Sequence, residues 1–175
     1  MILNQSFKVG MGQYPFAEAL KEELVPVFEK YKDQQGRRTN VKATMTEWNI
    51  SSPQIERFKK YILNEIQTFY KPSTFIEEGE EKNEKFEIRD LWANVYNKGD
   101  YTLSHNHFPC VYSFAYFLKS KWHHAPFVFT ESKKRIRPQE GKFIFFPAYV
   151  LHHVSKHNFK EQRMTLSGNI KVKSK

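Results

Sequence analysis

His105 and His107 stand one residue apart in the stretch YTLSHNHFPC, residues 101–110. On an extended strand alternate side chains share one face, roughly 6.5–7 Å apart. Two imidazoles at that spacing can converge on one ion at nitrogen–metal distances near ~2.1 Å. Two ligands hold a metal poorly, so a third must come from elsewhere. The stretch FPAYVLHHVSKH offers His152, His153 and His157. His152 and His153 are adjacent, so on a strand only one of them can face the pair. Taken alone, the H-x-H spacing also fits exposed or hydrogen-bonded histidines. His153 is expected beside the ligand, packed against it or bonded to it. His123, His124 and His157 read as loop or turn residues.

A strand face must carry these side chains. Beyond residue 85 the apolar period changes from helical to two, through KFEIRDLWANVYN, YTLSHNH, VYSFAYFLK, PFVFT, KFIFFP, YVLHHVS and RMTLSGNIKV. Turn signals separate these runs, among them Lys98-Gly99-Asp100 and Pro138-Gln139-Glu140-Gly141. Many short strands at regular spacing predict an antiparallel sandwich or barrel. In several strands every second residue is polar: Trp92, Asn94 and Tyr96, then Arg163, Thr165, Ser167 and Asn169. The opposite face of the last strand is Met164, Leu166, Gly168 and Ile170. Polar faces can turn to water, or they can line a pocket inside a closed sandwich.

The first third reads as helical. Leu20, Leu24, Val27, Phe28 and Tyr31 form a stripe that Pro26 should kink or divide. VKATMTEWNI is a weak strand. Ser52 caps and Pro53 opens a second helix with Ile55, Phe58, Ile62, Ile66 and Phe69 on one face. EEGEEKNE, 77–84, reads as a mobile loop. The expectation is one domain over 1–175 of mostly β, α+β class: a helical part over 1–85 packed on a double-stranded β-helix (jelly-roll) core over 86–175.

Composition sets limits. Sixteen phenylalanines supply a real core and exclude a disordered chain. No apolar run reaches the ~18 residues a membrane helix needs. The single Cys110 cannot form an internal disulfide, so a cytoplasmic setting is the default expectation; Cys110 reads as a small strand residue. The net charge of +9 favours an anionic partner, whether peptide, nucleic acid or small metabolite. Its plainer reading is a solvated surface. The oligomeric state is not legible.

The run from Asn94 to His107, with FPAYVLHHV and RMTLSGN after it, resembles the 2-oxoglutarate- and Fe(II)-dependent oxygenases, in particular compact members of bacteriophage and bacterial type. The resemblance covers about Leu91 to Ile170. It implies Fe(II) and 2-oxoglutarate as cofactor and cosubstrate, and oxidative decarboxylation to succinate coupled to hydroxylation of a substrate. His105 matches the first ligand of the family's H-x-D/E motif, and His152 the distal ligand. His107 stands where the family carries a carboxylate, a departure that leaves one more positive charge on the site. Arg163 and Thr165 match the R-x-S/T pair that holds the far carboxylate of the cosubstrate. Asn94 and Tyr96 match positions that touch the cosubstrate, and Tyr116 in FAYFL is a further candidate for binding it. Two other readings stay open. One is a cupin-like three-histidine metalloenzyme without 2-oxoglutarate; the other is a non-catalytic basic binding module.

Overall fold

The computed structural model describes residues 6–30, 40–70 and 86–173. The acidic segment 77–84 and Tyr31 lie outside them. Two antiparallel sheets face one another, with two helices on the outside of the larger one. That sheet runs β1-β9-β6-β11-β4-β3 and the smaller runs β2-β5-β10-β7-β8. In chain order the strands are β1 (Gly10–Gln13), β2 (Val41–Lys42), β3 (Thr44–Met45), β4 (Phe86–Tyr96), β5 (Tyr101–His105), β6 (Tyr112–Lys119), β7 (Phe127–Phe129), β8 (Arg135–Ile136), β9 (Lys142–Pro147), β10 (His152–Val154) and β11 (Arg163–Val172). The helices are α1 (Ala17–Glu29) and α2 (Pro53–Phe69). No described helix is long and apolar enough to cross a membrane.

The second helix forms as its sequence dictates. Ser52 is extended, and its hydroxyl accepts the Ile55 N–H at 3.2 Å, satisfying one orphan donor of the first turn. Pro53 follows where no amide hydrogen is needed. Ile55, Phe58, Ile62 and Ile66 are buried, each worth roughly 1.5–3 kcal/mol of apolar burial. Phe69 stays partly exposed, edge-on to Phe145. In α1, Leu20, Leu24 and Phe28 face the sheet, while Val27 is 57% exposed and off the stripe. Pro26 does not divide α1. It sits in the last turns, where one missing backbone bond is tolerated because packing by Leu24 and Phe28 holds both sides.

The first third is also less helical than its sequence predicts. VKATM is split between the two sheets as β2 and β3. The strand β1 carries two glycines, a composition that hides it. Side chains there would collide with the rings of Phe145 (at Gly10) and Phe143 (at Gly12) on β9, which lie over the bare backbone. Close approach, rather than β propensity, selects these residues.

Two apolar layers result. Phe114, Tyr116, Leu118, Met164, Leu166 and Ile170 point to the helices; Ala115, Phe117, Phe127, Phe129, Ile144 and Phe146 point between the sheets.

Candidate metal centre and cosubstrate pocket

The smaller sheet brings the histidines together. His152 on β10 is the direct cross-strand partner of His105 on β5. His107 lies just past the end of β5, where its amide donates to the Ala148 carbonyl at 2.8 Å. The strand spacing expected for the H-x-H pair is thus replaced by a strand end and a bonded turn. Imidazole centroids are 4.8 Å apart for His105 and His107, 4.3 Å for His105 and His152, and 5.0 Å for His107 and His152. One nitrogen from each ring lies within 4.8 Å of the others.

Ring orientation is fixed from behind. His105 Nδ1 lies 2.8 Å from the Leu103 carbonyl and His152 Nδ1 lies 2.9 Å from the Val150 carbonyl. A carbonyl only accepts, so each Nδ1 carries the proton and each Nε2 keeps its lone pair free. Phe127 stacks on His152 at 5.0 Å and Phe146 meets it edge-on at 4.7 Å. Burial, and after it the neighbouring imidazoles, hold the His152 ring well below its ordinary pKa. Burial pushes His107 down to about 3 and lowers His105 as well. All three rings are therefore neutral at physiological pH, the state in which imidazole ligates metals.

The larger sheet supplies the opposite wall. β4 and β11 pair in the register Arg163↔Tyr96, Thr165↔Asn94 and Ser167↔Trp92. These six residues line the same cavity as the three histidines. Arg163 is fully buried, with its guanidinium 4.8 Å from the Tyr96 ring and 5.7 Å from the Phe117 ring. Its Nε and Nη1 have no hydrogen-bond partner, and no carboxylate pairs with it among the described residues. Burial lowers its pKa, with Tyr96 acting against that shift. A buried guanidinium without an anion costs several kcal/mol. Two unpartnered donors on a guanidinium that lines a cavity suit a carboxylate.

Other polar groups on this wall are ordered. Asn94 Nδ2 donates to Ser167 Oγ at 3.1 Å and its Oδ1 accepts from Trp92 Nε1 at 3.2 Å. The Tyr96 hydroxyl and Thr102 Oγ1 are 2.8 Å apart.

Some expected residues are elsewhere. Tyr116 does not line the cavity. The alternation of β6 turns it to the helix side, 4.8 Å from Phe58, while its neighbours Ala115 and Phe117 face inward. His153 points out of the sandwich, its Nδ1 3.0 Å from the Thr130 hydroxyl, and neither packs on nor bonds the cluster. His124 and His157 do lie in connecting segments, yet both are buried. Cys110 sits in a turn, its amide bonded to the His107 carbonyl. Thr102 lines the cavity unannounced by any motif. His152 pairs with His105 and Val154 with Thr102, so β5 has one extra residue there. That irregularity lets Thr102 and His105 face the same way against strict alternation.

A second group of ligand-type side chains is His123, His124 and Glu161. It is poorly suited to metal. His124 Nδ1 accepts the Lys121 amide at 3.2 Å, and Lys121 Nζ takes Glu161 at 3.0 Å.

No protein-family model and no curated protein sequence matches the chain. Solved structures do. A Pseudomonas putida prolyl-4-hydroxylase superposes with a TM-score of 0.69 at 14% identity, covering 96% of this chain and 94% of that one. A viral collagen prolyl hydroxylase from Paramecium bursaria Chlorella virus-1, in complex with 2-oxoglutarate, gives 0.64 at 15% identity over 93% and 94%. A Burkholderia pseudomallei oxidoreductase of the 2OG-Fe(II) oxygenase family gives 0.63 at 12% over 93% and 84%.

The fold is that of the 2-oxoglutarate- and Fe(II)-dependent oxygenases. The helices α1 and α2 belong to this oxygenase fold as much as the sheets do, since the similarity spans nearly the whole chain.

Proposed function

We propose that this protein is an Fe(II)- and 2-oxoglutarate-dependent dioxygenase, with the two sheets forming a double-stranded β-helix core over 86–175 and residues 1–85 packing on it as part of one domain. The single observation that carries the reading is the facing pair of walls. Three neutral histidines converge on one side, and a buried guanidinium without an anion stands on the other. A cupin-like enzyme needs the first wall but gives no reason for the second. A basic binding module needs neither.

In this reading His105, His107 and His152 hold the metal, and Arg163 with Thr165 receives the far carboxylate of 2-oxoglutarate. When bound, the metal and cosubstrate would supply, with dioxygen as the oxidant, oxidative decarboxylation to succinate and carbon dioxide coupled to hydroxylation of a substrate. The chain's own residues prepare the site. The Leu103 and Val150 carbonyls fix the tautomers of His105 and His152, so both Nε2 lone pairs are ready without reorganisation. Phe127 and Phe146 keep the His152 ring in place and exclude water from that side. The fork of Arg163 matches a carboxylate in a low-dielectric pocket, where a charge-assisted bond is strongest. Thr165 adds a hydroxyl from the same strand face, and Asn94, its cross-strand partner, keeps the wall polar.

The test is iron-dependent release of succinate from 2-oxoglutarate. Wild type should produce it and Arg163→Ala should lose most of it. Metal uptake by both proteins with no succinate from wild type would favour the cupin-like alternative.

A further inference from the structure

Among the described residues, no acid lines the cavity. Its lining groups besides the histidines and Arg163 are neutral: Asn94, Tyr96, Thr102, Thr165, Ser167 and apolar side chains. Asp90 on β4 and Asp100 in the turn before β5 are already engaged. Asp90 accepts from Asn169 Nδ2 at 3.2 Å and lies 3.7 Å from Arg89 Nε. Asp100 accepts the Asn97 amide at 2.7 Å. Neither belongs to the histidine cluster.

Charge must balance in a buried site, because an uncompensated charge there is strongly unfavourable. On the reading above, a divalent ion and Arg163 bring positive charge that a dicarboxylate cosubstrate only partly cancels. A carboxylate ligand at position 107 would complete the cancellation. His107 is neutral and leaves one positive charge over. We infer that this site holds a compact anion in addition to 2-oxoglutarate, either a free inorganic ion or a carboxylate or phosphate group carried by the substrate. The inference rests on the proposed metal centre and extends it to the class of substrate. His107 is its determinant: the side chain is half-buried, beside Trp92 at 6.0 Å, and its cluster holds no acid among the described residues.

The test loads the full chain with Co(II), whose visible absorption reports changes at the metal, and saturates it with 2-oxoglutarate. Azide is then titrated in, followed by acetate and methyl phosphate as competitors. Wild type should show a saturable spectral change with azide. His107→Asn, also neutral, should keep it. His107→Asp and His107→Glu, which restore the negative charge, should weaken azide by roughly tenfold or more. Displacement of azide by acetate or methyl phosphate points to an anionic group on the substrate; azide binding that neither displaces points to a free inorganic ion. Equal azide affinity in His107→Asp and His107→Asn, or no saturable change in wild type that binds cobalt and 2-oxoglutarate, overturns the inference and leaves the proposed function standing. Failure of wild type to take up cobalt overturns both.

Discussion

The two faces of β11 divide the molecule's labour. Met164, Leu166 and Ile170 turn to the helices and are completely buried among apolar side chains. Arg163, Thr165 and Ser167 turn to the cavity and meet polar partners or none. Arg163 and Thr165 are as buried as the helix face, yet the two faces do opposite things to stability. The helix face lowers the free energy of folding through apolar burial. The cavity face raises it, because a guanidinium is desolvated without an anion. A strand whose two sides differ in this way is expected where packing on one side offsets the strain of a site on the other.

Breaking the cavity face should remove function and spare the fold. The largest effect is expected from His152→Ala, which takes away a proposed metal ligand held from behind by Val150 and Phe127. Iron retention and succinate release should fall by more than about a hundredfold, read by metal analysis and product assay. Arg163→Met comes next. It should raise the KM for 2-oxoglutarate at least about tenfold while leaving Tm equal to or above wild type, since a buried unpaired charge is replaced by an apolar side chain of similar length. A clear drop in Tm would show that the guanidinium has a partner in the fold.

Breaking the helix face should do the reverse. Leu166→Ala should lose about 2–5 kcal/mol of stability in denaturant titration, with the KM for 2-oxoglutarate unchanged in the protein that remains folded. Far from both faces, Ser52→Ala should cost about 1 kcal/mol through the lost cap of α2 and leave cosubstrate binding alone.

A last effect concerns pH. Burial, and after it the neighbouring His157, His123 and Arg163, pushes His124 down to about 4. Its unfolded imidazole titrates near ~6.5. Between those values the unfolded chain binds more protons than the folded one, so stability rises with pH. The contribution of His124 is complete above about 6.5 and is lost as pH falls toward about 4. His124→Gln should therefore show a shallower fall of Tm from pH 7 to pH 4 than wild type, which keeps the slopes of its other buried histidines.

Much of this division can be read in the residues. The alternation of RMTLSGNIKV separates the two faces of β11 without coordinates, and Ser52-Pro53 marks the start of α2. Features that depend on partners cannot be read so directly. Tyr116 sits in VYSFAYFLK, a run apolar on both faces, so nothing local tells the helix side from the cavity side. Thr102 faces inward only because β5 gains a residue against β10. The glycines of β1 make sense only once the rings of Phe143 and Phe145 lie over them. On the strand alone either His152 or His153 could face the pair; pairing with His105 puts His152 in the cluster.

The most direct test of the central claim is anaerobic equilibrium dialysis of the full chain against Fe(II) and 2-oxoglutarate. Wild type should retain both in stoichiometric amount, Arg163→Met should retain iron with little 2-oxoglutarate, and His152→Ala should retain neither. Wild type that holds no iron, or Arg163→Met that holds 2-oxoglutarate as tightly as wild type, would contradict the account.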